Sequence, residues 1–237
     1  MGGCAGLVAG TLFAADARWT VSDMRTRSNS PRAALGVTVK SGWACAVLVV
    51  SSDTGLRTAD SRRVELSDPA DPESRQPYHA GFGTARASGP RLSRLIAAVK
   101  RYGRQSVGKL LQQYRAAGHD LRGAGIVVGS LIDPSTIAND HIRIHALEGQ
   151  LFRRLVEDAA ARHRLPCSLW RERDLYAQAE ITLNQPETTL RAAIGGLGRD
   201  VEGPWRAEQK TAALAAWMVL TPRTPEPRVG KRERKRL

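Results

Sequence analysis

From Leu35 to Val50 the chain reads LGVTVKSGWACAVLVV, two apolar runs separated by Lys40-Ser41-Gly42. Val, Thr, Leu and Trp suit a pleated surface and Ser-Gly suits a tight turn, so the pattern predicts a hairpin of Leu35–Lys40 and Trp43–Val50. The second strand lacks the alternation of a strand wet on one side. It is therefore expected inside a sheet covered on both faces, with Ile126–Val128 as the parallel neighbour of Leu35–Lys40. Residues 51–61 read as a polar loop, and Arg62–Leu66 as a third strand. Residues 67–89 hold three prolines and three glycines without periodicity, which predicts a long irregular connection.

Pro90 suits the first position of a helix. Leu92, Leu95, Ile96 and Val99, then Val107, Leu110, Leu111 and Tyr114, recur at helical spacing, with Gly103 between the two sets. That pattern fits one long helix with a weak point, or two helices. Gly123–Ser130 is a short apolar run bracketed by glycine, expected as a fourth, central strand. A helix follows over Asp140–Leu165, ended by Pro166, and Cys167–Trp170 is a fifth strand. Asp174–Leu183, Glu187–Ile194 and a segment opening at Pro204 read as terminal helices. One domain over residues 34–220 results, with a flexible leader at 1–33 and a disordered tail at 221–237.

Charge sharpens this picture. The net charge is +13. The last 17 residues carry seven Lys or Arg against two Glu, and Lys231, Arg232, Arg234, Lys235 and Arg236 form a dense basic cluster. Such a cluster fits a polyanionic partner, nucleic acid being the expected one, and fits a merely solubilising tail as well. Arg94, Arg101 and Arg104 on the first helix are candidate nucleic-acid contacts, or a solvated face. Tyr78, His79 and Phe82 in the irregular loop could stack on bases or pin the loop to the core. No run of apolar residues is long enough for a membrane span. The N-terminal stretch is apolar but lacks a basic opening and contains Asp16, so a leader is expected there, not an export signal. Cys4, Cys45 and Cys167 share no metal-ligand spacing, and Cys45 and Cys167 are expected as buried strand residues of a cytoplasmic protein.

His141, His145 and Glu148 fall at i, i+4, i+7. One helix face would carry all three, a set able to hold a transition metal or simply to satisfy polar groups near a buried helix start.

Three strands in succession, then helix, strand, helix, strand and terminal helices, with Gly42-Trp43-Ala44 after the first turn, resemble the ribonuclease H-like superfamily, in particular its resolvase-like branch. The resemblance covers about residues 35–220. It implies an α/β fold with a mixed sheet of about five strands: a three-strand meander, then alternating helix and strand, with terminal helices. It also implies carboxylates on the first strand, at the end of the fourth and in the last helix, which together hold Mg²⁺ for phosphodiester cleavage. Here the first-strand position holds Thr38 or Lys40, the fourth-strand end reads Val128-Gly129-Ser130, and only Glu208 is acidic where an acid is implied. Two short stretches, VTVKSG and IGGLG, also resemble phosphate and nucleotide loops of the actin and sugar-kinase branch, whose members need two such domains. The expected function is a nucleic-acid-associated protein without two-metal nuclease activity and without a cofactor. One alternative is an active nuclease using Mg²⁺ on a rearranged set from Asp60, Glu65, Glu148, Asp174 and Glu208, with Glu148, Glu208 and Asp174 as leading catalytic candidates. The other is a scaffold that binds a protein partner.

Overall fold

A computed structural model describes residues 31–81, 84–86, 88–199 and 201–221. The leader up to residue 30, Phe82 and the basic tail lie outside the described residues. Five strands form one sheet: β1 (Arg32–Lys40), β2 (Trp43–Ser52), β3 (Gly55–Glu65), β6 (Asp120–Val128) and β7 (Cys167–Arg171). Their order is β3-β2-β1-β6-β7. β1 pairs antiparallel with β2 and β2 with β3, whereas β1–β6 and β6–β7 are parallel. Val37 lies opposite Ile126 and Thr38 opposite Val127, the expected pairing. This mixed order is the ribonuclease H-like arrangement. A separate two-stranded ribbon, β4 (His79–Gly81) with β5 (Thr84–Ala85), stands within the irregular connection.

Among the described residues, five helices cover the sheet: α1 (Pro90–Ala116), α2 (Asp140–Arg162), α3 (Leu175–Leu183), α4 (Glu187–Gly196) and α5 (Ala207–Leu220). Strand alternation divides the interior into two cores. Ala44, Ala46, Leu48 and Val50 of β2 join Leu35, Val37 and Ile126 against α1 and α2. Cys45, Val47 and Val49 point the other way, against α3, α4 and α5. Both faces of β2 are therefore dry, which is why its sequence is apolar without a break.

α5 packs on the sheet with its backbone directly against two strand glycines. A Cβ built on Gly36 would lie 1.7 Å from the Ala212 carbonyl oxygen, and one on Gly125 would lie 2.6 Å from that of Ala215. Small residues along α5, Ala212, Ala213, Ala215 and Ala216, complete the contact and are all fully buried.

Three expectations are corrected. β2 runs to Ser52 and β3 starts at Gly55, so all of the expected polar loop except Asp53 and Thr54 is strand. β3 is an edge strand whose outward positions carry Arg57, Arg62 and Arg63, charges that protect an edge but hide the strand's period. Cys167 is exposed, because it opens the other edge strand, while Cys45 is buried. The last helix begins at Ala207, not Pro204; Gln209 reaches back to the Arg206 N–H and caps it. Gly103 does not divide α1. An added Cβ there would meet Leu155 at 2.6 Å and the Leu66 carbonyl at 2.9 Å, so the glycine admits α2 and the end of β3 against an unbroken helix.

The Tyr114 hydroxyl donates to Asp60 Oδ2 at 2.5 Å, joining α1 to β3. Removing it in Tyr114→Phe leaves the ring buried but the carboxylate short of a donor. A loss of about 2 kcal/mol in urea unfolding is expected, with no change in the slope against denaturant.

Candidate functional site

β1 and β6 run parallel, so both end at the same edge of the sheet. That edge, at the carboxyl ends of strands, is where open α/β sheets gather ligands. A cleft of about 350 Å³ opens there, between the strand ends and the first half of α2. Lys40, Ser41, Gly129 and Ser130 form its floor, and His145, Gln150 and Arg153 of α2 form one wall. Ile132, Ile137 and Ile142 make an apolar lip, of which Ile132 and Ile142 are well exposed. Asn139 caps α2 by accepting from the Ile142 N–H, which fixes where the helix starts beside the cleft.

The cleft is lined by cations. Lys40 Nζ lies 3.1 Å from Glu172 Oε2, with both side chains about a third exposed. An ion pair so placed is weak and can be exchanged for another anion. Arg153 is held more tightly in the wall, yet its ion pair to Glu157 is long at 3.9 Å, and its Nε is buried with no acceptor.

The positions where the resemblance implies carboxylates are otherwise engaged. Thr38 is buried and faces α5, where its hydroxyl donates to the Glu208 carbonyl oxygen (3.0 Å) and lies 2.9 Å from the Thr211 hydroxyl. Lys40 pairs with Glu172. Ser130 Oγ accepts from the Ile132 N–H at 3.2 Å and shapes the loop after β6. Glu208 sits in the first turn of α5. Its charge is felt at Cys45, whose thiol is pushed up to about 12, mainly by burial and then by Glu208. A neutral hydroxyl, an ammonium and a serine do not make an Mg²⁺ cage, so the residues present do not fit a two-metal centre.

The rearranged acidic set is not assembled. Asp60 pairs with Arg62 and Tyr114, Glu65 with Arg63, and Asp174 with Arg171 and Arg173. Glu148 alone of these is fully buried.

Glu148 belongs to a different cluster. Its Oε1 lies 2.8 Å from His79 Nδ1, while its Oε2 is buried without a hydrogen-bond partner. His145, one turn earlier on α2, brings a ring nitrogen into the same group, and the ligand-type atoms of His79, His145 and Glu148 all fall within 4.8 Å of one another. Burial raises the pKa of Glu148, with His79 as the strongest opposing influence. Burial lowers that of His145, helped by the neighbouring imidazoles of His79 and then His141. His141 stands edge-on to His145, ring centres 4.7 Å apart, outside the group. The third member is thus His79, brought by β4 from the irregular connection. No spacing in the sequence links residue 79 to residues 145 and 148, so only tertiary structure could reveal it. Tyr78 beside it packs on the core, which pins the loop in place.

The first-helix arginines lie apart from the cleft lining. Arg94 and Arg101 are exposed, Arg94 bonding its own helix at Pro90 O (3.3 Å). Arg104 reaches Asp158 of α2 at 3.5 Å, which makes it in part a helix–helix tie. Lys40 and Arg153, not singled out as nucleic-acid contacts by the sequence, are the cations that line the concave surface.

No protein-family model matches the chain, and no curated protein matches it. Among solved structures it is similar to RuvC of Thermus thermophilus in complex with a Holliday junction substrate, at TM-score 0.47 and 14% identity over 78% of this chain and 91% of that one. It is also similar to the yeast mitochondrial Holliday junction resolvase Ydc2, at TM-score 0.43 and 8% identity over 80% of each chain. No helix among the described residues is long and apolar enough to cross a membrane. By its own strand order and pairing, the chain has a ribonuclease H-like α/β fold.

Proposed function

We propose that this chain is a nucleic-acid-associated ribonuclease H-like protein that holds backbone phosphate in the cleft at the ends of β1 and β6 through cations, without two-metal nuclease chemistry. The observation that carries this reading is Arg153, set in the cleft wall with a buried Nε that has no acceptor. A guanidinium N–H withdrawn from water with no hydrogen bond, and only a 3.9 Å ion pair to Glu157 Oε2, is costly, and a phosphate oxygen would satisfy it. Lys40 supplies a second charge by exchanging Glu172 for the ligand. The basic tail would add phosphate contacts of its own.

The test is incubation of the purified chain with RNA–DNA hybrid, branched DNA and single strands, in Mg²⁺ and in Mn²⁺. No cleavage is expected, and Thr38→Asp alone should not create any, because the fourth-strand end, Val128-Gly129-Ser130, would still lack a carboxylate. Glu208→Ala and Glu148→Ala serve as controls for contaminating nuclease. Cleavage that vanishes in either variant would overturn the reading. Deleting residues 222–237 should weaken oligonucleotide binding and flatten its salt dependence, because fewer counterions are released.

The exposed lip offers a second reading. Ile132 and Ile142, with Leu131 beside them, are large apolar groups in water next to a concave surface. A protein segment docking there would use them, whereas phosphate would not. Ile132→Asp separates the two: it should disrupt a protein complex and change oligonucleotide affinity less than Arg153→Ala does.

A further inference from the structure

We propose that His79, His145 and Glu148 form a three-ligand site for a borderline divalent transition metal, Zn²⁺ being the ion that fits, which ties the irregular connection to α2 beside the cleft. His145 and Glu148 lie three residues apart on α2, so one helix face presents both. His79 arrives from β4 and already contacts Glu148 at 2.8 Å. Two imidazoles and one carboxylate suit zinc, while Mg²⁺ prefers an all-oxygen set.

A second observation points to a ligand independently of this grouping. The Glu148 carboxylate is fully buried; His79, the Tyr78 backbone and the Ser41 side chain all act on it, yet its Oε2 is left without a hydrogen bond. Buried carboxylate oxygens rarely stay unpaired, because nothing then replaces the lost hydration. A cation at this point would supply the missing partner. Tetrahedral zinc sets its ligand atoms about 3.3 Å apart, so the present span of up to 4.8 Å needs only small side-chain rotations. His145 is exposed and lines the cleft, which leaves one side of the site open for a fourth ligand. Glu148 lies too deep to serve as a surface acid, and the cleft's phosphate role does not use it. The metal proposal therefore stands or falls separately from phosphate binding.

The experiment uses the full chain, stripped with chelator and titrated with Zn²⁺ against a chromophoric competitor. One equivalent should bind. Affinity should fall at least tenfold in His79→Gln and in His145→Gln, and remain unchanged in Cys4→Ser and Cys167→Ser. Circular dichroism establishes that each variant is folded; His145 is exposed, so that variant remains a fair test even where a change at Glu148 would unfold the protein. Co²⁺ in place of Zn²⁺ should give visible bands of a nitrogen and oxygen ligand set, with no thiolate charge transfer. Absence of stoichiometric Zn²⁺ binding, or loss in a Cys or His141→Gln variant with His79→Gln unaffected, would overturn the assignment.

Discussion

Gly36→Ala is expected to cost about 3 kcal/mol or more, lowering the thermal unfolding midpoint by roughly 6–12 °C for a domain of this size. The methyl group has nowhere to go. It would be built 1.7 Å from the Ala212 carbonyl oxygen and 2.5 Å from the carbonyl carbon, and backbone cannot rotate aside as a side chain does. Relief requires α5 to lift from β1, but the same helix is seated on Gly125 of β6, with Ala215 O 2.6 Å from a Cβ there. Lifting one end therefore strains or opens the other. Thr38 would lose its hydrogen bond to Glu208 O in the same movement. Gly149→Ala is the matched control. Gly149 lies within α2 with open space where its Cβ would stand, so the change should be neutral or stabilise by up to about 1 kcal/mol. Equal losses in the two variants would show that the helix is not seated as described.

Reversing both cleft charges, in Lys40→Glu with Arg153→Glu, is expected to lower oligonucleotide affinity at least tenfold. Two phosphate contacts would be lost and two repulsions gained, so the slope of log affinity against log salt should fall by about two. Arg153→Ala alone should remove about one unit of slope, because the neutral side chain leaves no new charge behind. Lys40→Ala should do less, since Glu172 already occupies that ammonium. The Arg94 and Arg101 positions give a useful contrast. Both are exposed and lie outside the cleft lining, so Ala substitutions there should change affinity little if the cleft is the binding surface.

These expectations rest on features that the sequence disclosed unevenly. The hairpin and the parallel neighbour were legible because β2 and β6 are buried on both faces, and burial writes an unbroken apolar run. β3 was only half legible, since an edge strand with alternating charges resembles a polar loop. Gly103 left one helix or two open, and the single helix is found, with the glycine letting Leu155 approach; a glycine's sequence context does not say which neighbour comes close. At the candidate site, the missing carboxylates could be read directly from Thr38, Lys40 and Ser130. His145 and Glu148 could be paired by helical spacing. His79 could not, for the contact spans the chain from residue 79 to residue 148 and no local pattern encodes it. Arg153 was hidden for a simpler reason, being one of many arginines in a basic sequence; a buried Nε without a hydrogen-bond acceptor, which Arg104 also has, sets it apart only together with its place in the cleft.

The central claim is that cations at the ends of β1 and β6, and not carboxylate-held Mg²⁺, engage nucleic acid. The most direct measurement is the affinity of the full chain for a generic oligonucleotide across a salt series, with and without added Mg²⁺, beside Arg153→Ala. The account predicts tight binding at low salt that needs no added Mg²⁺, weakens linearly in log salt, and loses about one unit of slope in the variant. Absence of binding at low salt, or binding that depends on Mg²⁺ and is indifferent to Arg153, would contradict it.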